Sequence, residues 1–195
     1  MKSFQLVGVP GSGKSFYLNL LKKNPINNID YFDFKDLFND YSINFPKYNN
    51  KMLCLKILDD LFTQNRNILF DSHFVFFQEG IFENSYYFHK YAKSSGYIFI
   101  DSNSELIADR ILNDVLLGKR KSFHFIDYSI NKNYIEKKED LIFLIERYKE
   151  TSLEFLKKIT FELNIDYITI NNNEKNNNIS KNINQINDFL NNHLK

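Results

Sequence analysis

Residues Gly8-Val9-Pro10-Gly11-Ser12-Gly13-Lys14-Ser15 satisfy the pattern G-x-x-x-x-G-K-[ST] in full. Glycines let successive backbone N–H groups turn inward around phosphate oxygens, and the helix that follows adds its positive end. In such a loop Gly8, Gly11, Ser12 and Gly13 form the cradle. Lys14 reaches the β- and γ-phosphates, and the Ser15 hydroxyl takes Mg²⁺. The chemistry implied is binding of ATP or a similar triphosphate. Background composition strengthens the reading: the chain has only six glycines, and three lie between residues 8 and 13. A match by chance is expected in roughly two such chains per thousand.

Other residues with chemical potential follow at intervals. Asp71 ends the apolar run Ile68-Leu69-Phe70, a position from which an acid holds Mg²⁺ or its waters, or else caps a turn. His73, two residues on, is a candidate substrate contact or a structural histidine. Asp30, Asp33 and Asp36 surround a second candidate strand end. If the acceptor were a hydroxyl, Asp33 is the candidate base. If it were a phosphate, no base is needed. The chain has four arginines, and Arg110, Arg120 and Arg147 are placed to converge on a triphosphate or to serve as surface charges. Arg66 precedes a strand among polar residues and reads as structural. Asp101 also ends a strand, in a turn context.

The elements that must position these residues alternate between strand and helix. Phe4–Val7 reads as a buried strand, followed after the glycine loop by a helix ending near Asn24–Pro25. Ile29–Phe34 reads as a second strand or its exit, Asn49–Phe62 as a helix, and Asn67–Asp71 as a buried strand. A short helix over Asn84–Ala92 and a strand over Tyr97–Ile100 come next. Ser102-x-x-Glu105 has the form of a capping box, predicting a helix from about Asn103 to Gly118. Lys119–Tyr128 is a polar basic loop. A long helix spans about Ile135–Leu163, Ile165–Ile170 is a last strand, Asn171–Asn178 a surface loop of low complexity, and a terminal helix follows. This alternation predicts an α/β three-layer sandwich around a parallel sheet.

With these residues in place, the chain resembles the P-loop kinases of the nucleoside-monophosphate-kinase group, adenylate-kinase-like. The resemblance rests on Gly8–Ser15, on Leu69-Phe70-Asp71-Ser72-His73, and on Ile98–Asp101 continuing through Ser104-Glu105-Leu106-Ile107-Ala108-Asp109-Arg110-Ile111. The segment Phe-Asp-Ser-His with Gln78-Glu79-Gly80 also resembles a group of uncharacterised bacterial ATP-binding proteins. The resemblance implies a five-stranded sheet of order 2-3-1-4-5 in one domain over 1–195. It further implies an acceptor-side insert at about 33–65 and a lid at about 118–133. Arg110 would pack near the adenine, and Lys119–Lys121, with Arg120, would clamp the phosphoryl group. Two departures stand out: no Arg occurs between Ser15 and Asn65, and Asp114 replaces the second phosphate-binding Arg. Lys35, Lys47 or Lys51 would have to substitute, without the bidentate fork.

The remaining composition excludes other classes. A net charge of +1 leaves no electrostatic footprint for nucleic acid or an anionic membrane. No apolar run approaches the roughly 20 residues of a membrane span. A lone cysteine, Cys54, excludes an internal disulfide and fits a cytoplasmic setting. Asn (27) and Lys (21) are so frequent that neither is informative by type alone. The expected function is Mg²⁺-ATP-dependent phosphoryl transfer to a small acceptor, with a nucleotide as the leading candidate. A metabolite-hydroxyl kinase using Asp33 and a non-transferring ATP-binding regulatory module are the alternatives. Oligomeric state stays open.

Overall fold

The computed structural model describes residues 1–78, 81–119, 138–173 and 178–194. Five parallel strands form the central sheet: β1 (Ser3–Val7), β2 (Ile29–Phe32), β3 (Asn67–Asp71), β6 (Gly96–Asp101) and β7 (Tyr167–Asn171). Their order is β2-β3-β1-β6-β7, which reads 2-3-1-4-5 when only these strands are counted. The numbering skips because a two-stranded antiparallel hairpin, β4 (Val75–Gln78) and β5 (Ile81–Asn84), intervenes outside the sheet. The sequence reading has no such hairpin.

Alternation along the strands explains the layers. Phe4, Leu6, Leu69, Ile98, Ile100 and Ile170 face α1 (Lys14–Lys23) and α7 (Ile179–Leu194). Their neighbours Val7, Tyr97 and Phe99 face α5 (Ser104–Leu116) and α6 (Lys138–Leu163). On the same side, Ile68 and Phe70 meet α3 (Asn50–Thr63) and Ala92, just after α4 (Tyr86–Tyr91). Parallel strands must be covered on both faces, and β1 is accordingly buried along its whole length. Ser3 and Gln5 are the polar residues of β1; Ser3 Oγ donates to Ala92 O at 3.0 Å, and Gln5 lies deeper. Its amide is satisfied: Ser72 Oγ donates to Gln5 Oε1 at 2.6 Å, and Gln5 Nε2 donates to Ser94.

Three boundaries differ from expectation. Phe34 is not strand but the first residue of α2 (Phe34–Asn44), which Asp33 caps. The helix escapes sequence periodicity because none of its residues is fully buried; Leu37, Phe38 and Tyr41 pack only at the edge of a core cluster. Ser102 is not the cap of α5. Asn103 is, its side chain accepting from Glu105 N at 2.8 Å and Leu106 N at 3.3 Å. Asn171 closes β7 rather than opening a loop. Arg120, Lys121 and most of the expected lid, together with Glu79 and Gly80, lie outside the described residues. Among the described residues, no helix is long and apolar enough to cross a membrane.

Register places the chemistry. Leu6 lies beside Asp71 and Ile98, and Asp101 beside Asn171. The carboxyl ends of β1, β3, β6 and β7 therefore share one edge, where α/β proteins place ligands.

Candidate active site

At this edge β1 ends and the chain turns through Gly8 (φ 143°), Gly11 (φ 86°) and Gly13 (φ 108°) into α1. Gly8 is pressed against β6: a Cβ there would lie 2.6 Å from the Ile100 carbonyl oxygen. Gly8→Ala combines that clash with a left-handed backbone, so a loss of about 1–3 kcal/mol or more in denaturant unfolding is expected. Gly13 caps α1 without any side-chain hydrogen bond, so the first-turn amides keep their donors for an anion. Lys14 is only 6% exposed and curls over its own loop, donating to Gly8 O at 2.8 Å and Val9 O at 3.1 Å. Ser15, one residue on, is exposed.

The fit to a triphosphate can be tested on one atom. Ser12 Oγ is buried in the loop and has no hydrogen-bond partner among the described residues. A buried hydroxyl without a partner is costly, and a phosphate oxygen would satisfy it. Among the described residues there is no cluster of three or more His, Cys, Asp or Glu able to hold a metal.

Asp71 ends β3 and is 8% exposed. Its Oδ1 accepts from Phe34 N at 2.8 Å, tying the strand end to the start of α2. Burial raises its carboxyl above the usual carboxylate range. The Phe34 N–H opposes this, Asp33 adds to it and Lys14 opposes it. A carboxyl raised on folding stabilises the protein below its unfolded value, and that contribution is lost as pH rises through the folded one. Asp71→Asn keeps the acceptor for Phe34 N and removes the buried charge. It should therefore melt higher than wild type at pH 7, with the two curves converging toward pH values near the ordinary carboxylate pKa of 3.8. Asp33 sits beside this pair as the α2 cap, its Oδ1 accepting from Lys35 N at 3.0 Å and Asp36 N at 3.2 Å.

His73 lies half-buried where the chain leaves β3. Its carbonyl is held from behind by His89 Nε2 at 3.2 Å and Ser85 Oγ at 2.8 Å. His89 is fully buried against Phe74, with ring centroids 4.5 Å apart, and burial pushes its imidazole down to about 3. It is therefore neutral and donates through Nε2 to the His73 carbonyl.

On the other flank, Arg110 Nη1 donates to Gly11 O at 3.1 Å and Ser12 O at 3.4 Å, placing the guanidinium against the phosphate loop. Arg147 is exposed on α6 and does not join it. The α6 cation that reaches this edge is Lys149, paired with Asp101 at 2.6 Å and donating to Ser102 O at 3.2 Å. Asp101 is thus an ion-pair partner, and Ser102 is a loop support, its Oγ donating to Ser12 O at 2.8 Å. Asn172 Nδ2 donates to the same oxygen at 2.7 Å. Asp30 pairs with Arg66 at 3.3 Å, while Asp36 is exposed on α2.

No protein-family model matches the chain, and no curated protein matches it in sequence. Solved structures do. A shikimate kinase from Bacteroides thetaiotaomicron superposes with TM-score 0.57 at 12% identity, over 97% of this chain and 98% of that one. A shikimate kinase from Acinetobacter baumannii in complex with shikimate gives 0.53 at 13%, over 100% and 96%. A sugar kinase from Janibacter gives 0.51 at 10%, over 98% and 95%. The chain shares the fold of these structures, an α/β sandwich around a five-stranded parallel sheet. Within that fold the glycine loop, Asp71 and Arg110 lie together at the carboxyl-end edge of the sheet.

Proposed function

We propose that this protein is a Mg²⁺-ATP-dependent kinase of a small acceptor. The observation that carries this reading is the intact phosphate loop, with buried Lys14 at its mouth and buried Asp71 within electrostatic reach. Bound Mg²⁺ would supply positive charge that offsets the charge of the phosphates. Ser15 and Asp71 would hold it. Lys14 would swing from the Gly8 and Val9 carbonyls to the phosphates. Arg110 would flank the donor, with Arg120 as a further cation from the lid at about 118–133.

A nucleotide acceptor would need a cation cluster for its phosphate on the side formed by residues 33–65. Lys56 is already paired with Asp60 at 2.7 Å, Lys51 lies over the Tyr87 ring, and Lys35 and Lys47 are exposed. A hydroxyl acceptor needs instead a fixed base. Asp33 is half-buried and held by two α2 amides, and its charge acts on Asp71. That observation favours the hydroxyl reading, with His73 as a candidate acceptor contact. The names of the solved relatives, shikimate and sugar kinases, point the same way. Purified protein with Mg²⁺-ATP, screened against hydroxyl metabolites and nucleoside monophosphates, tests it by acceptor-dependent ADP release. Background ADP with every acceptor, alongside retained ATP binding, would leave the regulatory-module reading.

A further inference from the structure

The phosphate loop is steered from behind, and the steering ends in an asparagine. Ser12 O accepts from Asn172 Nδ2 at 2.7 Å and Ser102 Oγ at 2.8 Å, with Arg110 Nη1 farther at 3.4 Å. A trans peptide points its C=O and the next N–H in opposite directions. Holding the Ser12 carbonyl toward β6 and β7 therefore aims the Gly13 N–H the other way, into the cradle. Asn172 also packs on Gly13 itself: a Cβ at Gly13 would come within 2.6 Å of Asn172 Nδ2.

The orientation of the Asn172 amide is itself determined. Asn182 Nδ2 donates to Tyr17 Oη at 2.7 Å and to Asn171 O at 2.8 Å. The Tyr17 hydroxyl, its lone pair occupied, gives its proton to Asn172 Oδ1 at 3.1 Å. Only the NH₂ end of Asn172 is then left for Ser12. The Asn172 backbone is pinned as well, its N–H donating to Asp101 O at 2.7 Å. Tyr17 and Asn182 are buried, so the relay runs from α7 through α1 to the loop with little access to water.

We infer that Asn172 is a positioning residue for the phosphate loop, acting through the Ser12 carbonyl on the Gly13 amide and so on affinity for the triphosphate group; this presupposes the nucleotide reading above. The measurement is calorimetric titration of wild type, Asn172→Ala and Tyr17→Phe with two probes, ATP and inorganic tripolyphosphate. Circular dichroism monitors folding. In Asn172→Ala both probes should bind about five- to tenfold more weakly, the scale of one hydrogen bond in a pre-organised site. In Tyr17→Phe both should weaken together by about threefold. Tyr17→Phe carries the same comparison should Asn172→Ala fail to fold. A variant that loses ATP affinity but keeps that for tripolyphosphate would overturn the inference, because Asn172 would then be acting on the nucleoside. Unchanged affinity for both probes would overturn it too. Wild type that binds neither probe would overturn the nucleotide reading and the role of Asn172 with it. Wild type that binds both, with variants that match it, would remove only the role of Asn172.

Discussion

Lys14→Ala is expected to reduce turnover by about 10³-fold or more while the protein stays folded. Lys14 sits at the mouth of the loop, and its ammonium is held by the Gly8 and Val9 carbonyls at 2.8 and 3.1 Å. Those carbonyls keep the charge near the place where phosphate oxygens would lie. Truncation removes the charge but leaves the loop's other supports, the donors converging on Ser12 O and the contact of Gly8 with β6. Circular dichroism should therefore be unchanged while ADP release collapses. Lys14→Arg should not restore activity, because a planar fork cannot turn in the space of a compact ammonium. Normal turnover in Lys14→Ala would sink the phosphoryl-transfer mechanism.

The sequence made some of this legible and hid the rest for physical reasons. The glycine loop was visible because positive φ at three nearby positions can be met cheaply only by glycine, and this chain has little glycine to spare. The inner strands β1, β3 and β6 were visible because strands buried on both faces read as near-continuous apolar runs, whereas the edge strands β2 and β7 are only partly buried and carry a weaker signal. The hairpin β4–β5 was not visible: it lies off the sheet, and part of its hold on α6 is Tyr148 donating to a backbone carbonyl, Val75 O, which has no residue signature. Lys149 and Asn172 were hidden by abundance. Each is one of many of its type, and only the alignment of Asp101 with Asn171 across β6 and β7 brings them to the loop. Ser102 was misread for a related reason. Ser102 and Asn103 are both good caps, and the choice is made by Ser12 O, which engages the serine from across the fold.

Asp33→Asn should separate the two acceptor chemistries. Asn is as good a helix N-cap as Asp, so its Oδ1 can keep the Lys35 and Asp36 amides and α2 should stay in place. The structural cost is limited to the lost interaction of a carboxylate with the helix N-terminus, about 0.3–1 kcal/mol. Chemistry pays far more if the acceptor is a hydroxyl. An amide cannot take the proton, and kcat should fall about 10²- to 10⁴-fold with ATP affinity retained. A phosphate acceptor is already ionised and asks nothing of a base, so the same variant would then turn over within a few-fold of wild type. Asp71 sharpens the contrast. Its carboxyl is raised by burial and pushed further by Asp33, so neutralising Asp33 should let Asp71 ionise more easily and, if anything, improve its hold on Mg²⁺. A steep loss of kcat in Asp33→Asn therefore cannot be charged to a weakened metal site, and a variant as active as wild type would return the acceptor to the phosphate class.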